Sequence, residues 1–216
     1  MCAHQRQTPL LFILWHIDET LHAPGDILHR LGINKNAPFA NSFTLCCSAQ
    51  ARDLYYVLEK TGVKVLFLVN SLNETDYLAI LNQALPDLHV SGTGKVLSQQ
   101  LPLLRRVVTI SEGHHSNLLN LNDVLHEGRK AGMSSLSGIR ARVLAQDAAV
   151  IKYTNGLSGY SRGAMLSHFS LINNAHSVAQ KLNLGSSDKL CLPIPLYYIF
   201  GFWVGLYVGK FHGISV

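Results

Sequence analysis

The spacing of hydrophobic and polar positions becomes regular at Ala51 and from there predicts helices that alternate with buried strands. Leu54, Val57 and Leu58 recur at helical spacing, and Gly62 follows them as a helix stop. The next segment, VKVLFLV at 63–69, is apolar without alternation, which indicates a strand buried on both faces. Residues 1–49 show weak periodicity and are the part of the sequence that is hardest to interpret.

A second helix is predicted after this strand. Asn73 is a residue type that caps helix N-termini, and Pro86 is one that ends helices. Leu78, Leu81 and Leu85 would form the apolar face between these two positions.

The middle of the chain repeats this order of elements. Residues 91–105 are predicted to be a loop, and RVVTI at 106–110 is predicted to be a second short strand. Asn120 or Asn122 is predicted to cap a helix that runs to about Ala131.

A linker at 132–145 is followed by AAVIKY at 148–153, a third predicted strand. A loop rich in Gly and Ser comes next, and then a long amphipathic helix. The face of this helix is formed by Leu171, Ala175, Val178 and Leu182. Strands that alternate with helices predict an α/β fold with a mostly parallel sheet.

Composition narrows the class of protein. Hydrophobic residues make up 48% of the 216 residues, enough for a core, and charged residues only 14%, against roughly 25% in an average domain. The formal net charge is +5, and the basic residues are scattered rather than clustered with aromatics. We therefore expect no nucleic-acid partner, although a basic surface still suits phosphate ligands.

The spacing of cysteines and histidines gives little support for a metal site or a disulfide bond. The four cysteines, Cys2, Cys46, Cys47 and Cys191, form no C-x-x-C pair and no zinc spacing, and the 11 histidines are dispersed. We expect a reduced intracellular protein without a metal site.

The segment Leu190–Gly209 carries no charged residue and has the length of a membrane span. Pro193 and Pro195 interrupt any continuous helix through its first third. The remainder, 196–209, is predicted to be a buried core helix, so no transmembrane span is expected.

The loop after the third strand carries the candidate chemistry. Residues 153–163 read YTNGLSGYSRG, which places three glycines, hydroxyl groups and one cation between a strand and a helix. Glycines allow a ligand to approach backbone N–H groups, Arg162 supplies fixed charge, and the following helix would add its positive N-terminus. This is the chemistry of a phosphate site, while the plain alternative is a flexible connection.

The same loop contains a rival motif. Gly159–Gly163 matches G-x-S-x-G, in which Ser161 would be the nucleophile of a serine hydrolase, and Asp188 and His212 follow in the required order. The context is unfavourable, because the strand ends several residues before the motif rather than directly at it.

Three segments in the region 51–216 resemble the AMP-forming acyl-CoA synthetases, which belong to the acyl-adenylate-forming superfamily. ARDLYYVLEKTG at 51–62 precedes an apolar strand as in that family. The stretch 153–174, YTNGLSGYSRGAMLSHFSLINN, is similar to the family's phosphate loop, YTSGTTGxPKGxxLSHxxLxNN, and PIPLYYIFG at 193–201 is similar to P-x-P-L-x-H-x-x-G. The resemblance implies the partial N-terminal domain of such a ligase over 51–216, after a poorly defined segment 1–50.

By this resemblance the chain would bind ATP, with Mg²⁺, and serve a reaction that joins a fatty acid to coenzyme A. Departures from the family pattern are Asn155 for Ser, Leu157 for Thr, Ser161 for Pro, Arg162 for Lys, and Tyr198 for His. The candidate ATP-binding residues are Thr154, Asn155, Gly156, Leu157, Ser158, Gly159, Arg162 and Gly163, with Tyr198 near the acyl and nucleotide sites.

The resemblance also implies what this chain lacks. The family's adenine contacts, magnesium-binding Glu and C-terminal lid domain with its catalytic Lys lie beyond the matching region, so no catalytic residue is assigned. We expect that the chain alone does not catalyse the reaction. The alternative is that it is a non-catalytic binding or regulatory protein. We also expect it to self-associate through exposed apolar surface. The resemblance implies mitochondria, with the cytoplasm as the alternative, since residues 1–30 carry no clear targeting signal.

Overall fold

The computed structural model describes residues 12–16, 41–45, 50–72, 75–90, 95–110, 118–130, 144–153, 162–194, 198–201 and 207–215. Two compact units divide the chain, namely residues 11–143, here the sheet unit, and residues 1–10 with 144–216, here the hairpin unit. The strands are β1 Phe12–His16, β2 Asn41–Leu45, β3 Val65–Leu68, β4 Ser71–Leu72, β5 Thr75–Asp76, β6 His89–Val90, β7 Val96–Leu97, β8 Arg106–Thr109, β9 Leu119–Asn120, β10 Ala148–Tyr153 and β11 Gly163–Ser167. The helices are α1 Ala51–Thr61, α2 Tyr77–Ala84, α3 Leu121–Lys130, α4 His168–Lys181 and α5 Gly209–His212.

The sheet unit is organised around β3. Its strands are ordered β2-β1-β3-β8-β9, with β3, β8 and β9 parallel and β1 antiparallel to both neighbours. Every residue of β3 is buried, as its uninterrupted apolar sequence predicts. The α/β class and its parallel strands are confirmed, and the antiparallel pairs make this part of the sheet mixed.

The first predicted helix is confirmed as α1. Leu54, Val57 and Leu58 are buried, and α1 packs against α2. Gly62 ends the helix with φ +60°, and its N–H donates to Leu58 O at 3.1 Å. A residue with a side chain adopts this left-handed conformation at a cost, which explains the glycine.

The second predicted helix forms, but its cap was wrongly assigned. Asp76 caps α2 by accepting a hydrogen bond from Ala79 N at 2.9 Å, while Asn73 lies outside the described residues. The buried residues of α2 are Tyr77, Leu81 and Ala84. Leu81 and the C-cap Leu85 are buried as predicted, whereas Leu78 is only half-buried.

The predicted loop at 91–105 was also partly wrong. β7 lies within it and pairs antiparallel with β6. A single carboxylate holds this region together, since Asp87 accepts hydrogen bonds from Gln99 N at 2.7 Å and Ser98 Oγ at 3.0 Å. Pairing across so short a strand leaves little hydrophobic periodicity for sequence analysis to detect.

The predicted strand 106–110 is confirmed as β8, and the helix after it as α3. Asn120 is the residue that caps α3, because its Oδ1 accepts a hydrogen bond from Asn122 N at 2.8 Å. Most of the predicted linker 132–145 lies outside the described residues.

The hairpin unit is built from β10, β11 and the C-terminal helices. β10 confirms the third predicted strand, and it pairs antiparallel with β11. Of the predicted face of α4, Leu171 and Ala175 are buried and Val178 is half-buried, whereas Leu182 follows the last helical residue and is 60% exposed. Two clusters, Ala149–Val150–Leu171 and Ala175–Ala179–Val208–Ile214, form the core of this unit.

The apolar segment at 196–209 is helical only in parts of what is described. α5 runs from Gly209 to His212, beyond the predicted end, and Gly213 closes it at φ +66°. Val208 is buried, but Tyr198 and Phe200 are 43% and 51% exposed, so the expected burial fails there. None of the helices within the described ranges is long and apolar enough to cross a membrane.

Candidate functional site: a hairpin that frames the Gly-rich loop

The Gly-rich loop is framed by a β-hairpin. β10 and β11 pair in register from Val150 opposite Leu166 to Tyr153 opposite Gly163, so the two ends of the connection 154–162 are held together. Antiparallel pairing fixes the loop ends to within one strand spacing, about 5 Å. The predicted ligands Thr154, Asn155, Gly156, Leu157, Ser158 and Gly159 lie outside the described residues.

Gly163 is needed where it stands. A Cβ atom on Gly163 would lie 3.1 Å from Ile151 Cγ2 and 3.2 Å from Tyr153 Cζ. These distances are tighter than most contacts of a Cβ atom, so a side chain here would require Ile151 or Tyr153 to shift by a few tenths of an ångström. The small residue at the end of the motif therefore serves packing of the hairpin.

Arg162 directly precedes β11 and is exposed. Its guanidinium is attached at the point where the loop rejoins the sheet, and an exposed guanidinium can meet a phosphate with paired donors. The structure thus brings Arg162 and Gly163 together at one end of the loop.

The expected contribution of a helix N-terminus was wrong. β11 separates the loop from α4, which begins only at His168. The first turn of α4 is capped by Ser167, whose Oγ accepts a hydrogen bond from Ser170 N at 3.1 Å. The helix therefore does not follow the loop directly, and its dipole decays within one turn.

Lys152 is a cation that the sequence analysis did not select. It lies on β10, one residue before the closing pair, and its side chain is only 7% exposed. Burial lowers the pKa of Lys152 to about 8, because an ammonium group loses hydration there. A lysine in the otherwise apolar run AAVIKY was the available signal, since lysines are seldom buried.

Tyr198 is described as a half-open residue, 43% exposed. The segment before it is fixed to the C-terminal residues, as Lys189 bridges Ser215 and Leu190 N donates to Ser215 O at 2.8 Å. Its assignment near the acyl and nucleotide sites stays a prediction.

The serine hydrolase alternative does not fit the local structure. A nucleophile elbow leads from a strand into a helix, whereas β11 follows this motif directly. Asp188 Oδ2 accepts a hydrogen bond from Gly185 N at 2.7 Å, and the His212 ring stacks on His176 with centroids 5.5 Å apart. Each expected partner of Ser161, itself outside the described residues, is engaged elsewhere.

No group of three or more His, Cys, Asp or Glu side chains that could hold a metal ion occurs in the part of the chain that the structure describes. Cys191, the cysteine within that part, is exposed and not in a disulfide. A resident metal therefore gains no support from these residues.

The fold is that of the N-terminal domain of adenylate-forming enzymes. A solved structure of this kind, the anthranilate CoA ligase AuaEII in complex with anthranoyl-AMP, superimposes with a TM-score of 0.62 at 20% identity, over 79% of this chain and 29% of its own. The chain belongs to the AMP-binding enzyme family, which matches residues 43–216.

Curated relatives define the branch of the family. The mitochondrial medium-chain acyl-CoA ligase ACSF2 of Bos taurus is 31% identical over 172 residues, which cover 77% of this chain and 28% of the relative. The acyl-CoA ligase SID4 of Ajellomyces capsulatus is 30% identical over 164 residues, 76% of this chain and 26% of the relative. The chain is thus an acyl-CoA synthetase-like AMP-binding domain that spans between a quarter and a third of these relatives.

Proposed function

We propose that this chain carries the phosphate-binding part of an acyl-CoA synthetase. The observation that supports this most directly is the register of the hairpin, in which Tyr153 pairs with Gly163 and closes the loop that matches the family motif. Family membership supports ATP, a fatty acid and coenzyme A as the proposed substrates, and Mg²⁺ is proposed as the ion that accompanies ATP.

In the first step of this family, a carboxylate attacks the α-phosphate of ATP, the bond from that phosphate to the β-phosphate breaks, and pyrophosphate leaves as the acyl adenylate forms. The loop would contribute by positioning the phosphates and by placing positive charge and N–H donors around them. Arg162 would neutralise phosphate charge in the position of the family's lysine, and the glycines would let backbone N–H groups approach the ligand. Residues 1–216 alone are expected to release no pyrophosphate from ATP.

Calorimetric titration of MgATP into the chain tests the binding role. The Arg162→Ala variant should bind about tenfold or more weakly, as expected for loss of a charged hydrogen bond. Lys181→Ala is the matched control, since Lys181 is an exposed cation at the far end of α4. Equal losses in both variants, or no heat with the unaltered chain, would contradict the proposal.

Pyrophosphate release with octanoate, ATP and Mg²⁺ tests the inactive state. Release that disappears in Gly159→Pro would show that the chain completes the first step by itself. The absence of both release and ATP binding would favour a non-catalytic role in which the chain pairs with another protein.

We also propose a location for the protein. The ACSF2 relatives are mitochondrial by name, and we propose the same compartment, which fractionation with a mitochondrial marker tests.

Self-association is a further part of the proposal. Met165 and Phe169 are 71% and 56% exposed, which suits association through apolar surface. Replacing both by Gln should reduce the sedimentation coefficient at high protein concentration if this surface is involved.

A further inference from the structure

β11 is an edge strand. It pairs with β10 along one edge, and no other strand within the described ranges lies along its second edge. In an antiparallel pair, alternate residues direct their backbone N–H and C=O groups away from the neighbouring strand. An extended segment of another chain can therefore pair with β11 through main-chain hydrogen bonds.

β11 lacks the features that usually keep edge strands from pairing with other chains. Its sequence, GAMLS, contains no charged residue and no proline. The irregularity of the hairpin falls on β10, between Ala148 and Val150, so β11 itself contains no extra residue that would bend it. The second edge of β11 is thus suited to a further strand.

The occupant that fits this edge is β11 of a second copy of the chain. Two identical strands can pair antiparallel about a two-fold axis, and an axis at the middle residue uses the whole strand. The opposed residues are then Met165 with Met165, Gly163 with Ser167, and Ala164 with Leu166. No like charges meet along this pairing, and two Met165 side chains that are each 71% exposed come into contact.

We propose that this chain forms a weak homodimer in which two β11 strands pair antiparallel about Met165. This inference rests on the proposed self-association and deepens it by naming the partner and the strand. α4 begins at His168, which limits the pairing to five residues of each copy. Such a contact is smaller than a standard interface of about 1,600 Å², so the dimer should form reversibly as the protein concentration rises.

A pair of opposite charges at the centre of the strand tests this arrangement. Met165→Lys and Met165→Glu each place like charges directly opposite one another in the dimer, so each should raise its dissociation constant about tenfold or more. An equimolar mixture of the two variants should associate about fivefold more tightly than either variant alone, because Lys then faces Glu. Sedimentation velocity over a range of concentrations measures all three.

The control carries the same charges away from β11. Gln180→Lys and Gln180→Glu, at an exposed position near the end of α4, should dimerise as the unaltered chain does. Because Met165 is exposed, its variants should also keep the Tm of the unaltered chain, which separates lost pairing from lost folding.

Amide hydrogen exchange distinguishes strand pairing from side-chain contact. The amides of residues 163–167 that face away from β10 should exchange more slowly at high protein concentration, since they donate to the second copy only in the dimer. Unchanged exchange of these amides in a chain that dimerises would overturn the pairing of β11, as would a mixture of the charged variants that associates no better than each alone.

The outcomes separate this inference from the proposals on which it rests. If replacing Met165 and Phe169 by Gln reduces association while the charged variants show no recovery on mixing, the chain associates through apolar surface without strand pairing. A chain that stays monomeric at all concentrations overturns both this inference and the proposed self-association. The titration with MgATP tests the phosphate-binding role independently of either result.

Discussion

The sheet unit and the hairpin unit both combine strands with helices, but they differ in which side chains are buried. In the sheet unit, β3 and the apolar residues Leu54, Val57 and Leu58 of α1 are buried. In the hairpin unit, a lysine is buried in β10, and eight large apolar side chains of the described residues are exposed, against three in the sheet unit. Among the described residues, the first unit therefore buries its apolar side chains more completely than the second does.

The exposed apolar residues show how this difference is distributed. Those of the sheet unit are leucines in a two-residue strand, a turn and a helix, namely Leu97, Leu103 and Leu125. Those of the hairpin unit are Leu144, Met165, Phe169, Ile172, Leu182, Tyr198, Ile199 and Phe200. Scattered leucines need no explanation, whereas the exposed aromatic and aliphatic groups of the hairpin unit are the ones that the proposed self-association would use.

The largest expected effect is on the core of the sheet unit. Leu66→Ala empties a fully buried site on β3 and should lower the free energy of unfolding by about 2–5 kcal/mol. Leu97→Ala, at a side chain that is 64% exposed, is the control and should change it by less than about 0.5 kcal/mol. Urea unfolding measures both, and similar losses would show that β3 is not the core of this unit.

A pair of glycines compares backbone conformation in the two units. Gly62→Ala forces a side chain into φ +60° with its Cβ 3.1 Å from Leu103 Cδ1, and should cost roughly 1–2 kcal/mol. Gly185→Ala in the hairpin unit meets no atom within 4 Å and no positive φ. It should be neutral or stabilise by about 0.4–1 kcal/mol. Thermal unfolding of the two variants gives the comparison, which a destabilised Gly185→Ala would break.

The N-cap residues of α2 and α4 allow the two units to be compared at the same helix position. Asp76 and Ser167 each accept a hydrogen bond from the third residue of the following helix, in α2 and α4 respectively. Asp76→Ala and Ser167→Ala should each cost about 1 kcal/mol in chemical unfolding. Ser167 also contacts the Ser170 hydroxyl at 2.9 Å, so Ser170→Ala distinguishes the cap from the side-chain pair. A negligible cost for Ser167→Ala alone would mean that α4 is held by packing rather than by its cap.

The sequence predicts the elements of the sheet unit better than those of the hairpin unit. α1, β3 and β8 are visible because apolar spacing and stop residues agree with the burial that the fold imposes. β11 is not, because GAMLS follows a motif read as loop and has neither alternation nor a run of β-branched residues. β11 forms because it pairs with β10, and this pairing cannot be predicted from the local sequence pattern.

The chemistry assigned to the candidate site stays a prediction, and the motif indicated its local geometry only in part. The loop, Arg162 and Gly163 follow from the motif, whereas the placement of a helix directly behind the loop did not hold, because β11 lies between them. Lys152 was not selected, because the burial of its side chain follows from strand pairing rather than from composition.

The smallest expected effect concerns Asp87, which joins the turn after α2 to the segment before β8. Desolvation alone would raise the pKa of this carboxyl, but hydrogen bonds from Gln100 N, Ser98 Oγ and Gln99 N outweigh it and hold the pKa below its usual value. A carboxyl with a lowered pKa in the folded state contributes stability above its unfolded pKa, near 4. That contribution is lost as the pH falls through the folded pKa.

Asp87→Asn should therefore flatten the decline in stability below about pH 4 relative to the unaltered chain, while lowering stability at pH 7. Ser98→Ala should give an intermediate slope, because it removes one donor and leaves the two backbone N–H groups. Urea unfolding at pH 7, 5, 4 and 3 measures these slopes. Equal slopes for Asp87→Asn and the unaltered chain would show that the loss of stability in acid arises from other carboxyl groups.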